Sequence, residues 1–224
     1  MSSPALDDAI RVMSEARQQS DSILVSFSGG KDSLVCLDLA VRMFKRVECF
    51  FMYLVPGLEC QEAELRKAEV KFGIPPVRQY PHWVLRKILQ NGTYTWEPDE
   101  VTDVPNWTLK DVYTLAAADA GIKTISMGGK ASDSLWRRRQ MGTVHYDGVI
   151  TPIKTWNKLH VVSYLKMRGI ALPPSSGKSA TGIDLSTPSL LWLHDTFPRD
   201  FAKLCKAFPF AEAVVHRRRI YGFA

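Results

Sequence analysis

The feature that most constrains this chain is a change of period between residues 23 and 44. Ile23-Leu24-Val25-Ser26-Phe27 has the apolar, β-branched character of a buried strand, and Leu34 to Phe44 carries apolar residues at helical spacing. Between them lies Ser28-Gly29-Gly30-Lys31-Asp32-Ser33. A strand that passes through a glycine turn straight into a helix builds an anion site. Glycine lets the backbone turn with positive φ, and the first N–H groups of the helix, at the positive end of its dipole, have no intrahelical partner. Lys31 adds a point charge for phosphate oxygens, and Ser28 and Ser33 add hydroxyls. Asp32 opposes an anion unless it holds a divalent cation, caps an N–H or pairs with Lys31, so a Mg²⁺ role is expected of it. An ordinary turn needs one cap and not this set of groups. The Walker spacing G-x-x-x-x-G-K-[ST] is absent.

The rest of the chain alternates in the same way. Pro4 to Gln19 reads as an amphipathic helix, Val47 to Val55 as a strand ending at Pro56-Gly57, and Glu59 to Phe72 as a helix stopped by Gly73. Val77 to Tyr80 reads as a strand, Trp83 to Leu89 as a short helix, and residues 91–104 as an aperiodic excursion. Trp107 to Ala120 is helical, with Thr108 and Asp111 at capping-box spacing, and Ile122 to Met127 is a further strand. The pattern predicts an α/β fold: an open, mostly parallel twisted sheet of about five strands with helices on both faces. In such a sheet the strand C-termini share one edge. Gly128-Gly129-Lys130, with Ser134 and the basic run Arg137-Arg138-Arg139, therefore faces the same crevice as residues 28–33, and the two loops can clamp one anion. The three arginines cannot all point the same way, since neighbours on a helix are about 100° apart.

The bulk numbers exclude little more. With 224 residues, 46% of them apolar, the chain can bury a sizeable core, and a net charge of +6 with a pI near 9.2 suits an anionic partner, nucleotide or nucleic acid. Cys36, Cys49, Cys60 and Cys205 form no CxxC pair and sit in apolar segments, as reduced structural thiols do, so a cytoplasmic setting is expected. No secretory signal pattern and no apolar run of about 18 residues occurs, so no membrane role is expected.

Ser28-Gly29-Gly30-Lys31-Asp32-Ser33 resembles the PP-loop, SGGxDS, of the N-type ATP pyrophosphatase superfamily, and its lysine variant is similar to the phosphoadenylyl-sulfate (PAPS) reductase branch. That branch has a G-x-R-x-x-x-S-x-x-R pattern after a later strand. Gly128 or Gly129, Lys130, Ser134 and Arg137 or Arg138 are similar to it, with lysine replacing the first arginine. Val149 to Trp156 also resembles the family's short strand and P-l-x-x-W turn. The resemblance spans residues 22–172, so residues 1–172 are expected to form the nucleotide-binding domain. Residues 173–224 are then a loop and a helical C-terminal extension packed on that domain, with Pro188 to Phe208 read as one helix and His216 to Arg219 as a basic end.

The resemblance implies ATP or PAPS as the nucleotide, with Mg²⁺ on Asp32. It implies nucleotide binding by Ser26, Ser28, Gly29, Gly30, Lys31, Asp32, Ser33, Met52, Leu54, Gly57, Gly129 and Ser134, and catalysis by Lys31, Asp32, Lys130, Arg137 and Arg138. The departures are equally informative. The C-terminal Glu-Cys-Gly-type tail of the reductases is missing, Cys205 reads as a helix-packing thiol, and neither an iron–sulfur cluster nor zinc is expected. Where that family has Asp-Thr-Gly, this chain has Val55-Pro56-Gly57-Leu58-Glu59. Three readings stay open. One is an enzyme that cleaves ATP between the α and β phosphates to adenylylate an acceptor. Another is an enzyme acting on a sulfonucleotide with an external thiol. The third is a noncatalytic module binding nucleotide or, through its basic segments, nucleic acid. The acceptor is undefined, and a homodimer is compatible with all three.

Overall fold

The computed structural model describes residues 4–90, 104–135, 138–139, 147–173 and 185–222. Five strands run parallel: β1 (Ser22–Ser26), β2 (Arg46–Tyr53), β3 (Arg78–Pro81), β4 (Ile125–Met127) and β5 (Val149–Ile150). Their spatial order is β3-β2-β1-β4-β5. From β1 the chain steps outward through β2 and β3, then returns to the other side of β1 for β4. The order thus reverses between β1 and β4, and this opens a crevice beyond their C-termini. Val25 lies opposite both Cys49 and Ser126, which fixes the depth at which the loops after β1 and β4 leave the sheet.

Alternation along the strands divides the core. Ile23, Val25, Val47, Cys49 and Phe51 point to one face and pack with α1 (Pro4–Gln19), α2 (Lys31–Met43) and α6 (Lys158–Met167), through Met13, Leu37, Ala40, Val161 and Leu165. Leu24, Phe50 and Tyr80 point to the other and meet Val112, Tyr113 and Ala116 of α5 (Leu109–Ala120). The expected α/β sheet with helices on both faces is what forms.

A third apolar cluster lies past the end of β2. Val55, Leu58 and Cys60, the last from α3 (Glu59–Phe72), and Leu85 of α4 (Leu85–Gln90) pack with α7 (Thr187–Thr196), α8 (Pro198–Ala207) and α9 (Phe210–Tyr221). The tail expected as one helix over 188–208 is therefore two, parted at Phe197, whose φ of −135° and ψ of 69° leave the helical region just before Pro198. The basic end His216 to Arg219 belongs to α9. β4 also starts later than Ile122. Gly121 turns with φ 64°, and the Ile122 N–H bonds back to the Ala117 carbonyl at 3.0 Å, so Ile122 completes the cap of α5. The Thr108/Asp111 capping box forms as read. Residues 91–103 and 174–184 of the two expected loops lie outside the described residues.

Asp38 ties α2 to α6. It is buried at 5% exposure, accepts the Tyr164 hydroxyl at 2.6 Å and the Arg168 Nε at 3.0 Å, and with burial pushes the tyrosine's ionisation well up. Removing one partner of a buried carboxylate costs about 1–3 kcal/mol. Tyr164→Phe is therefore expected to lower the unfolding free energy by that amount, seen as a lower urea midpoint at an unchanged slope in equilibrium unfolding.

Candidate active site

The glycine turn after β1 forms through Gly29, whose φ of 72° suits glycine alone at low cost. Gly30 is the N-cap of α2 and has no side chain to satisfy the helix, so the first N–H groups of α2 open on the crevice. Ser33 could have capped them but is spent inside the loop. Its hydroxyl donates to the Gly30 carbonyl at 2.9 Å, accepts the Ser28 N–H at 3.3 Å and lies 3.3 Å from the Ser28 hydroxyl. At 3% exposure it braces the turn, while Ser28 stays exposed.

The exit from β4 presses on the same helix end. A Cβ added at Gly128 would lie 3.0 Å from the Asp32 carbonyl carbon and from the Ser33 nitrogen, so this glycine is what allows the approach. Two residues on, Lys130 is buried at 2% exposure. Its Nζ lies 2.7 Å from Asp32 Oδ1 and 3.0 Å from Asp133 Oδ1, and its backbone N–H donates to Asp133 Oδ2 at 3.2 Å. The Asp32 contact is an ion pair out of line for a hydrogen bond. On its other oxygen Asp32 accepts from Lys31 Nζ at 2.9 Å. One carboxylate thus sits between two ammonium groups, at the positive end of the α2 dipole.

One helical turn further along α2, Cys36 lies buried behind this cluster. Burial pushes its thiol up to about 12 and the Asp32 charge adds to that, while the Ser126 hydroxyl and Lys130 pull the other way. The other three thiols are shifted in the same direction, chiefly by burial: Cys60 up to about 12, Cys49 further, and the half-buried Cys205 less.

The remaining expected site residues are spread along the same sheet edge. Ser26 ends β1, half-buried, paired in register with Phe50 and Met127. Met52 packs on the α5 side of β2, Leu54 packs with the C-terminal helices, and Gly57 turns with φ 67° while its carbonyl accepts Lys203 Nζ at 2.7 Å. Gly129 is buried in the exit from β4. Ser134 is exposed, and its carbonyl accepts the Arg138 N–H at 3.0 Å. Arg138 is exposed, and Arg137 lies outside the described residues. Among the described residues, the cation from the β4 exit that meets the first turn of α2 is the buried Lys130, whose N–H and Nζ are both held by Asp133.

Three residues escaped the sequence reading. Asp133 was visible as a Lys-x-x-Asp spacing. Asp200, buried at 2% exposure, accepts the Glu59 and Cys60 N–H groups at 2.9 and 2.8 Å from far along the chain, which no local signal shows. His82 follows β3 at the same edge. Its N–H bonds to the Tyr53 carbonyl at 2.8 Å, its Nδ1 accepts the Val84 N–H at 3.3 Å, and its ring stacks on Trp83 at 27°. Burial lowers its pKa below the ordinary 6.5.

The family model of the phosphoadenosine phosphosulfate reductase domain matches residues 22–175, from β1 to just past α6. The chain belongs to this family. PAPS reductase-domain proteins are PP-loop, nucleotide-binding proteins, and the family includes enzymes. Solved structures of low identity share the fold. PAPS reductase from Candida auris, as a phosphate complex, is 16% identical, covers 78% of this chain and 87% of its own, and gives a TM-score of 0.50. The U34-tRNA thiolase NcsA from Methanococcus maripaludis, with its [4Fe-4S] cluster, is 13% identical over 95% of this chain and 79% of its own, TM-score 0.50. The NH3-dependent NAD synthetase from Campylobacter jejuni, in complex with nitrate, is 12% identical over 99% and 98%, TM-score 0.51. No curated protein matches the sequence. The three C-terminal helices of this PAPS reductase-domain protein lie beyond the matched span. No helix among the described residues is long and apolar enough to cross a membrane.

Two outcomes follow from the protonation of these groups. With a disulfide reagent at pH 8, Cys205 should react first and the three buried thiols only as the protein unfolds, read by mass spectrometry of quenched samples. For His82 the unfolded chain binds its proton more readily than the folded one, so this residue's contribution to stability rises with pH up to about 6.5 and is flat above. Urea midpoints of wild type and His82→Gln between pH 5 and 8 should show their difference changing only on the acid side.

Proposed function

We propose that this protein binds Mg-ATP and transfers its AMP to an oxygen of an acceptor, releasing pyrophosphate. The acceptor oxygen attacks the α-phosphorus, the bond from that phosphorus to the bridging oxygen breaks, and pyrophosphate leaves with the electron pair. The observation that carries the reading is the open N-terminus of α2 after the Gly29 turn, with Lys31 on one side and Lys130 on the other. The helix N–H groups and Lys31 would bear the charge on the leaving pyrophosphate, and Lys130 would do so nearer the α-phosphate; fixed donors of this kind supply most of the catalysis in phosphoryl and nucleotidyl transfer. Adenine would lie on backbone groups of Ser26 and of Met52 to Leu54. Two similarly folded proteins, the Candida auris reductase and the Campylobacter synthetase, hold oxyanions, phosphate and nitrate, which supports an oxyanion site in this fold.

Mg²⁺ enters this reading with the nucleotide. Among the described residues no three His, Cys, Asp or Glu side chains are grouped to hold a metal ion, and Asp32 is already paired with two lysines. Magnesium is commonly carried by phosphate oxygens and water with one or two carboxylates, so Asp32 is the carboxylate available to it.

All four thiols are pushed up, which argues against reduction of a sulfonucleotide by a cysteine of this chain. The family match favours a second reading in which the nucleotide is PAPS and the thiol comes from elsewhere. Adenosine 3′,5′-bisphosphate should compete strongly with ATP only in that case. Nucleic-acid binding through the C-terminal basic end is less supported, since Arg218 bonds to the Gly222 carbonyl and Arg219 to Asp195.

Gly30→Asp places a carboxylate at the helix end, and Lys31→Ala removes a charged donor worth about 1.5–3 kcal/mol. Each should weaken Mg-ATP binding by about tenfold or more in calorimetry. Unchanged affinity in both overturns the reading.

A further inference from the structure

The helices beyond the matched family domain reach back to the edge of the crevice at one place. The turn from β2 into α3 has no cap of its own: Leu58 is the N-cap of α3 and offers no side-chain acceptor. The acceptor comes from α8. Asp200, buried at 2% exposure, takes the Glu59 N–H on Oδ1 at 2.9 Å and the Cys60 N–H on Oδ2 at 2.8 Å. One turn later on the same helix, Lys203 donates to the Gly57 carbonyl at 2.7 Å. Leu58 and Cys60 are packed beneath with Leu204, Phe201 and Leu193. The turn is thus held by three hydrogen bonds with two side chains of one helix and by apolar packing.

This turn continues β2, which runs beside β1 with Phe50 opposite Ser26, and the Phe27 N–H bonds to the Phe50 carbonyl at 2.8 Å. The turn and the glycine loop of residues 28–33 therefore follow adjacent strands on one sheet edge, with β2 running on to Tyr53 before its turn begins. Only the loop has the open helix end for phosphates. The end of β2 and the turn after it border the position where the adenosine half would lie.

We infer that Asp200, with Lys203, is a positioning residue that sets the adenosine half of the nucleotide site by fixing the β2–α3 turn. This rests on the proposed nucleotide reading. Asp200 touches no part of the ligand; it acts through residues 57–60. Holding a turn in its bound conformation before the ligand arrives removes an ordering cost from binding. The effect should be confined to ligands that use the turn.

The test compares Mg-ATP with Mg-pyrophosphate, which engages only the loop of residues 28–33, by calorimetry on the full-length wild type, Asp200→Ala, Asp200→Asn and Lys203→Met. Expected are a loss of about tenfold in Mg-ATP affinity for Asp200→Ala, a pyrophosphate affinity within about twofold of wild type, and partial rescue by Asn, which keeps the volume and one acceptor oxygen. Amide exchange at residues 57–61 should quicken in step with the ATP loss. Equal weakening of both ligands, or unchanged ATP affinity with quickened exchange, overturns the inference. If Asp200→Ala does not fold, Lys203→Met and Asp200→Asn decide by the same split. Wild-type protein that binds neither ligand refutes the nucleotide reading instead, and the exchange data then still report whether Asp200 holds the turn.

Discussion

Everything at this site hangs on how closely the chain leaving β4 approaches the first turn of α2. Gly128 has no side chain, and the space where one would start lies 3.0 Å from the backbone of Asp32 and Ser33. The gap admits Lys130, which is nearly inaccessible and sits against the Asp32 and Asp133 carboxylates. A buried ammonium is costly to desolvate by several kcal/mol, and it is tolerated only where well-placed carboxylates face it. Losing Asp32 would leave the buried ammonium with Asp133 alone, so the pair ties the β4 exit to the first turn of α2. The topology requires this contact. β1 and β4 are the strands between which the order reverses, and their exits are neighbours for that reason alone.

How much of this was legible depends on the range of each interaction. The strand, glycine turn and helix at residues 22–43 are coded by neighbours a few positions apart, and so is the Thr108/Asp111 cap; both were read correctly. Alternating strand and helix signals were enough to foresee a parallel sheet with a shared edge. The division of the tail at Phe197 was written in Pro198 and was overlooked, because the apolar stripe continues across the break.

The inward turn of Lys130 is only half local. Asp133, three residues on in the same loop, holds its N–H and its Nζ, while the second carboxylate, Asp32 on the first turn of α2, is brought near only by the sheet. The same holds for the turn after β2. Val55-Pro56-Gly57 stands where the resembled family has Asp-Thr-Gly, and in the folded chain a carboxylate arrives there from Asp200, across a sequence separation of 141 positions. A reading by motif registers what a segment lacks and misses what the fold returns to it.

These charges also decide where an anion can settle. Two helices, α2 and α3, follow the adjacent strands β1 and β2 at the C-terminal edge of the sheet, and each has N–H groups at its positive end. At α3 the Glu59 and Cys60 N–H groups are already taken by the buried carboxylate of Asp200. At α2 the cap is glycine, the nearby serine is turned inward on the loop, and the one carboxylate is shared by two ammonium groups. In the proposed reading a phosphate at α2 would meet N–H groups with no side-chain cap and the partly exposed Lys31, whereas at α3 it would have to displace a fixed carboxylate. The fold offers two helix ends and closes one of them from within; in the proposed nucleotide reading this leaves the loop of residues 28–33 for the phosphates and the space beyond β2 for the uncharged part of the ligand.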